Sequence, residues 1–162
     1  MSPDPGADKW ADQWARIARW FTLLSKTNAG RPHHRESDYY RDEAYSFFQN
    51  AYHFKDWLKN DPAVSARVSD VESVVAGSQN LRLCGDLCNG SKHLRLTAPK
   101  ESADTKLGKQ EFRLAVGGES PIISAKYEVN SGGKAYDAYT LAQACMAEWE
   151  SYLAAKGLLP RG

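Results

Sequence analysis

Long apolar runs, a charge excess of either sign and an even set of cysteines are all missing from this chain of 162 residues. No segment approaches the roughly 20 apolar residues needed to span a bilayer, so the sequence predicts no membrane association. Lys and Arg number 21 against 20 Asp and Glu, a formal charge of +1. Nothing chain-wide therefore advertises nucleic acid, and any such contact must be local. Three cysteines argue against a disulfide framework. Cys84 and Cys88 stand four apart on an expected helix, poorly placed for a relaxed disulfide, and a reducing compartment is the simpler reading. The opening Met1-Ser2-Pro3-Asp4-Pro5-Gly6-Ala7-Asp8 has no basic region followed by an apolar run, so no secretory signal is read there. The expected location is cytoplasmic.

What is present is helical periodicity. Residues 1–7 are punctuated by Pro and Gly and are expected to be disordered, with residues 8–162 forming a single domain. Trp10, Trp14, Ile17, Phe21 and Leu24 recur at intervals of three and four, which predicts an amphipathic helix ended by Asn28-Ala29-Gly30-Arg31-Pro32. The next loop carries His33 and His34 between Arg31 and Arg35, a basic tip able to touch phosphate, and Ser37 or Asp38 is placed to cap a second helix. That helix runs from about Tyr39 to Asn60 on the stripe Ala44, Phe47, Ala51, Phe54 and Leu58. Asp61-Pro62 suits the start of a third helix, with Val64, Val68, Val71 and Val75 buried. After the break at Gly77-Ser78-Gln79-Asn80, a fourth helix carries Leu83 and Leu87.

Beyond His93 the period changes to two. Leu94-Arg95-Leu96-Thr97, Glu111 to Val116 and Ile122 to Val129 alternate as strands do, and Gly117-Gly118 and Ser131-Gly132-Gly133 are turn signals. The polar stretch from Pro99 to Gly108 reads as a mobile loop. A last helix from about Ala138 to Lys156 buries Leu141, Cys145, Trp149 and Tyr152 or Leu153. The expected architecture is mainly α: a four-helix bundle with a small antiparallel β-sheet inserted at about residues 94–130 and a C-terminal helix, the sheet being an appendage.

Two polar clusters interrupt these apolar patterns. On the fourth helix Asp86, Asn89 and His93 fall on one stripe with Lys92 beside it, and on the second His53, Lys55 and Asp56 lie in an aromatic run. An imidazole transfers protons near neutral pH, an ammonium holds an anion as a point charge, and an amide orients either. If the helices face each other, His93, Lys92, Asn89 and His53 become catalytic candidates, and Lys55, Asp56, Asp86 and Arg95 candidates for holding substrate. The opposing reading is a buried polar network that fixes helix register. The paired Glu-x-x-His signature of dimetal bundles is absent, and Cys84 and Cys88 lack a second pair at zinc-finger spacing. No metal or cofactor is expected, although His53, Asp56, Asp86 and His93 are each competent ligands. Cys84 and Cys88 read as small buried residues before nucleophiles.

Asn89 and His93 occupy the polar and histidine positions of an Arg-x4-6-His motif near the start or end of a late helix, in which Asn, Asp or His usually follows the arginine. In this the chain resembles the HEPN superfamily (higher eukaryotes and prokaryotes nucleotide-binding domain) over about residues 36–96. The pairing of His53-x-Lys55-Asp56-Trp57 with Asp86-x-x-Asn89-x-x-Lys92-His93 also resembles small bacterial proteins of that helical class. The resemblance implies a protein that binds RNA or a nucleotide, or cleaves RNA without metal, in a bacterial defence or toxin–antitoxin setting. It also implies a homodimer with a composite site. Cys88 stands where the motif has arginine, and a thiol cannot stabilise phosphate charge in a transition state. Either Lys92 supplies that charge, or the chain is a non-catalytic interaction module, an antitoxin or accessory subunit with a cognate protein partner. A small-molecule or metal-dependent hydrolase is the third reading.

Overall fold

The computed structural model describes residues 9–92 and 98–159, with the backbone alone of Lys92. Its helices are α1 Trp10–Ala29, α2 Ser37–Asn60, α3 Val71–Gly77, α4 Gln79–Lys92 and α5 Ala138–Ala155. The strands are β1 Arg31–Pro32, β2 Lys106–Ala115, β3 Ile122–Ser131 and β4 Lys134–Asp137. The fold is mainly α with a small antiparallel sheet and a C-terminal helix, as the periodicity predicts. Residues 1–7, expected to be disordered, and Leu94 to Thr97, expected as a strand, lie outside the described residues.

Helix α1 begins where the Asp12 carboxylate accepts the Lys9 backbone N–H at 2.8 Å, satisfying one donor of its first turn. The Trp10 N–H is held at 3.2 Å by Asp61 from the far end of α2. Trp14, Ile17 and Leu24 then turn inward. Phe21 stacks on Tyr139 of α5 and leans on Phe47 of α2, with ring centroids 5.9 and 5.8 Å apart. The apolar stripe of α2 is buried throughout, and the Trp149 indole N–H of α5 donates to the Ala51 carbonyl at 3.0 Å. That bond gives the largest core side chain the polar partner its N–H requires. Asp137 caps α5 by accepting the Thr140 N–H at 2.9 Å.

Three expectations are corrected. Val64, Val68, Val71 and Val75 are all buried, but not on one helix: a 3-10 turn at Ser65–Arg67 precedes the short α3. The Asp61 carboxylate accepts the Ala63 N–H at 2.9 Å, making Asp61-Pro62 a turn and not a helix start. Asp70 then accepts the Tyr152 hydroxyl at 2.8 Å and the Lys156 ammonium at 3.0 Å, fixing the start of α3 to α5.

The sheet, secondly, is no appendage. β3 lies between β2 on one side and β1 and β4 on the other. Its alternate residues Ile123, Ala125, Tyr127 and Val129 are buried in the same core as the helices. Thirdly, Pro99 to Gly108 is not free. Asp86 of α4 holds its first half, while Asp104 accepts the Gly132 N–H at 2.8 Å and Thr105 shares a 2.6 Å hydroxyl bond with Ser131. Its last residues already belong to β2.

Candidate functional site

Helix α4 has little free surface where the polar stretch begins, since every residue from Leu83 to Cys88 is buried. Gly85 permits this. A Cβ there would lie 2.7 Å from the Tyr52 ring and 2.8 Å from the Lys100 side chain, so only glycine lets α2 and the loop close over α4. Asp86 is fully buried, and its two oxygens accept the backbone N–H groups of Lys100 at 2.7 Å, Glu101 at 2.7 Å and Ser102 at 3.1 Å. A carboxylate so used is an anchor for the loop, with its acceptor capacity turned away from solvent.

Cys88 is fully buried, and Cys84 donates its thiol to the Phe48 carbonyl at 3.2 Å. Burial pushes the Cys84 thiol up, and contact with Cys145 adds to the shift, so it is not poised as a thiolate. Asn89 is half-buried. Ser91 accepts from Gln49 and donates to the Cys88 carbonyl, both at 2.7 Å. His93, Arg95 and the Lys92 side chain lie outside the described residues.

The second cluster does assemble. Asp56 lies 3.0 Å from His53 Nδ1, 3.3 Å from Lys55 Nζ and 3.3 Å from Lys59 Nζ. Glu72 of α3 joins it, accepting from Lys55 at 2.9 Å and also from Lys59. Burial alone would raise Asp56, but the bonds from His53 and the lysines outweigh it and hold the carboxyl below its ordinary range. Burial would likewise lower Lys55, yet Glu72 and Asp56 hold it above. Lys59 and Lys55 hold Glu72 below the ordinary range, and Glu72 in turn raises Lys59. Alternating charges in mutual contact favour their ionised forms, the opposite of the tuning that makes a carboxylate a good proton acceptor.

This network has a pH signature. Depressed carboxyls contribute stability that is present above their unfolded values and lost as pH falls through the folded ones. Replacing Glu72 with glutamine is expected to cost a few tenths of a kcal/mol at neutral pH, kept small by solvent around a half-exposed pair. The difference from the native chain should shrink as pH falls below the ordinary carboxyl range and vanish once Glu72 is protonated in the folded chain as well. Urea titrations of both proteins from neutral to strongly acid pH read it, and a gap that does not change with pH would remove the network as its cause.

The two clusters meet through one ring. Gln49 and Tyr52 of α2 touch α4 at Ser91 and Gly85, beside the Phe48 carbonyl that accepts from Cys84. The ammonium groups of Lys55 and Lys100 sit 5.1 and 5.5 Å from the Tyr52 ring centroid. His53, one position further, is a third of a turn away and bonded along its own helix to Asp56. Among the described residues, no three His, Cys, Asp or Glu side chains converge as metal ligands would.

A further polar group escaped the sequence reading. Arg31 of β1 donates to both Glu43 oxygens at 2.9 and 3.1 Å, Thr27 adds a 3.4 Å bond, and the guanidinium lies 5.4 Å from the Tyr40 ring centroid. The signal was available: Glu43 interrupts the stripe of Tyr40, Ala44 and Phe47, where a charge needs a partner. His33 and His34 are drawn in as well, His33 Nδ1 lying 3.2 Å from the Tyr40 hydroxyl and His34 Nδ1 2.9 Å from the Pro32 carbonyl. The Tyr127 hydroxyl is buried with no partner among the described residues; burial, then nearby Glu43, pushes it up.

Fold and clusters together define a mainly α domain whose polar residues chiefly bind its own elements to one another. No family model, curated protein or solved structure matches the chain.

Proposed function

We propose that the chain is a non-catalytic interaction module, an antitoxin or accessory subunit of a bacterial defence or toxin–antitoxin system, in which the polar stretch of α4 is a structural network. The burial of Cys88 carries this reading. The position that holds arginine in the HEPN motif points here into the core, where no side chain reaches a substrate phosphate, and Asp86 beside it is committed to the loop backbone. What the domain does present to solvent is apolar surface on the β2–β3 hairpin, where Phe112, Leu114, Val116 and Ile122 are exposed.

A second reading keeps RNA or a nucleotide as ligand. It is supported by the two ammonium groups gathered at Tyr52, with His93 as proton-transfer group, Lys92 as phosphate contact and Asn89 as orienting group. Metal-free incubation with a mixed RNA pool separates the two. The module reading expects no cleavage by the native protein and no difference in His93→Ala. Cleavage by the native protein that is lost in His93→Ala overturns it in favour of the nuclease.

A further inference from the structure

Strand β2 is a sheet edge: among the described residues it pairs with β3 alone, leaving a row of backbone donors and acceptors open. The row is not uniform. At Leu107 the carbonyl accepts from Arg41 at 3.3 Å, and the register shifts between Leu107 and Gln110. From Gln110 to Ala115 the strand is regular and has neither proline nor an inward-pointing charge, the usual protections of an edge.

Residues directly opposite in a sheet share a face. Pairing with Ala125 and Ile123 therefore puts Phe112 and Leu114 on the helix-facing side, while Glu111 and Arg113, opposite Lys126 and Ser124, lie outside. Ile123 and Ala125 are buried, yet Phe112 and Leu114 are 39% and 56% exposed. The helices cover β3 and the start of β2 but leave Glu111 to Ala115 exposed, so an open backbone edge adjoins an apolar shelf.

We propose that this edge pairs antiparallel with β2 of a second copy of the chain, about a two-fold axis through Phe112. The inference rests on the interaction-module reading and names the partner. Charge favours a second copy in this register over the registers centred one residue to either side. Two-fold pairing centred on Glu111 sets Glu111 against itself and Lys109 against Arg113; centring on Arg113 sets Arg113 against itself. Centred on Phe112, Glu111 of each copy faces Arg113 of the other, twice, and the two Phe112 rings meet with both Leu114 side chains at diagonal positions. Opposite charges and aromatic contacts are what stabilise cross-strand pairs, and like charges in those places destabilise them. The sheet then runs unbroken through both copies, and the apolar shelf is covered.

Sedimentation equilibrium of the full chain tests this. The native protein is expected to show twice the 18.0 kDa chain mass. Glu111→Arg and Arg113→Glu should each weaken association about tenfold or more, by placing two like pairs across the axis. The double variant Glu111→Arg/Arg113→Glu should restore it. Both sites are exposed, and circular dichroism checks that each variant is folded. A native protein that stays monomeric, or single variants that dimerise like it, overturns the proposal; a monomer leaves the module reading standing. RNA cleavage would remove that reading without altering the mass.

Discussion

Alanine in place of Asp86 is expected to destabilise the chain by about 2–4 kcal/mol and to free the loop from Lys100 to Ser102. Three backbone N–H groups converge on the Asp86 carboxylate at 2.7 to 3.1 Å, and among the described residues none has another partner. Bonds to an ionised acceptor contribute about 1.5–3 kcal/mol each, but removing the carboxylate also removes its own desolvation cost. The net loss is therefore well below the sum. Asparagine should fall between, since it keeps one acceptor oxygen and turns an N–H₂ toward the remaining donors. Denaturant titration reads the stability, and hydrogen exchange at the Lys100, Glu101 and Ser102 amides reads the mechanism. Unchanged exchange at those amides in Asp86→Ala would refute the anchoring role even if stability fell.

The loop it holds joins two parts of the molecule. One end is fixed to α4 by Asp86, and the other to the β3–β4 turn through Asp104 and Thr105. This explains how the sequence misled. The reading of α4 assumed a helix with one wet face, so that a stripe of Asp86, Asn89 and His93 opposite Leu83 and Leu87 would line a cleft. A polar stretch beyond the helix, taken as mobile, instead folds over that face. Periodicity reports which residues avoid water, not which polar residues find a backbone to bind, because that requires knowing what lies on top.

Where burial alone decides structure, the sequence was legible. The stripes of α1, α2 and α5 are buried as their spacing requires. The valines from Val64 to Val75 show the limit: spacings of four, three and four suit one helix, but a 3-10 turn followed by a short helix buries the same residues. β1 and β4, with two and four residues, are too short for alternation to register. Of the candidate site, the contact of His53 with Asp56 was legible because i and i+3 neighbours lie on one face of a helix. The contribution of Glu72, from an element misread at the sequence level, was not.

Glu43→Ala is expected to be the more damaging change, at about 3–5 kcal/mol, because it leaves the Arg31 guanidinium enclosed without its counter-ion. Glu43 is 2% exposed and the Arg31 side chain 12%, so water cannot take the carboxylate's place as it would at the surface. The contact, one guanidinium nitrogen on both carboxylate oxygens, also carries topology. Arg31 sits on β1, which pairs with Ile122 and Ile123, and Glu43 and Thr27 belong to α2 and α1. One ion pair thus joins two helices to the central strand. Its energetic role separates from its presence in a double-mutant cycle. Breaking a buried pair is costly, but replacing both members with apolar residues of similar volume is often close to neutral. Arg31→Met/Glu43→Leu should accordingly be more stable than Glu43→Ala alone, measured by urea denaturation at neutral pH. A loss under about 1 kcal/mol in Glu43→Ala would mean that solvent reaches the pair; a double variant as unstable as the single would mean that it is the hydrogen bonds of the pair, and not relief of an isolated charge, that hold β1 against α2.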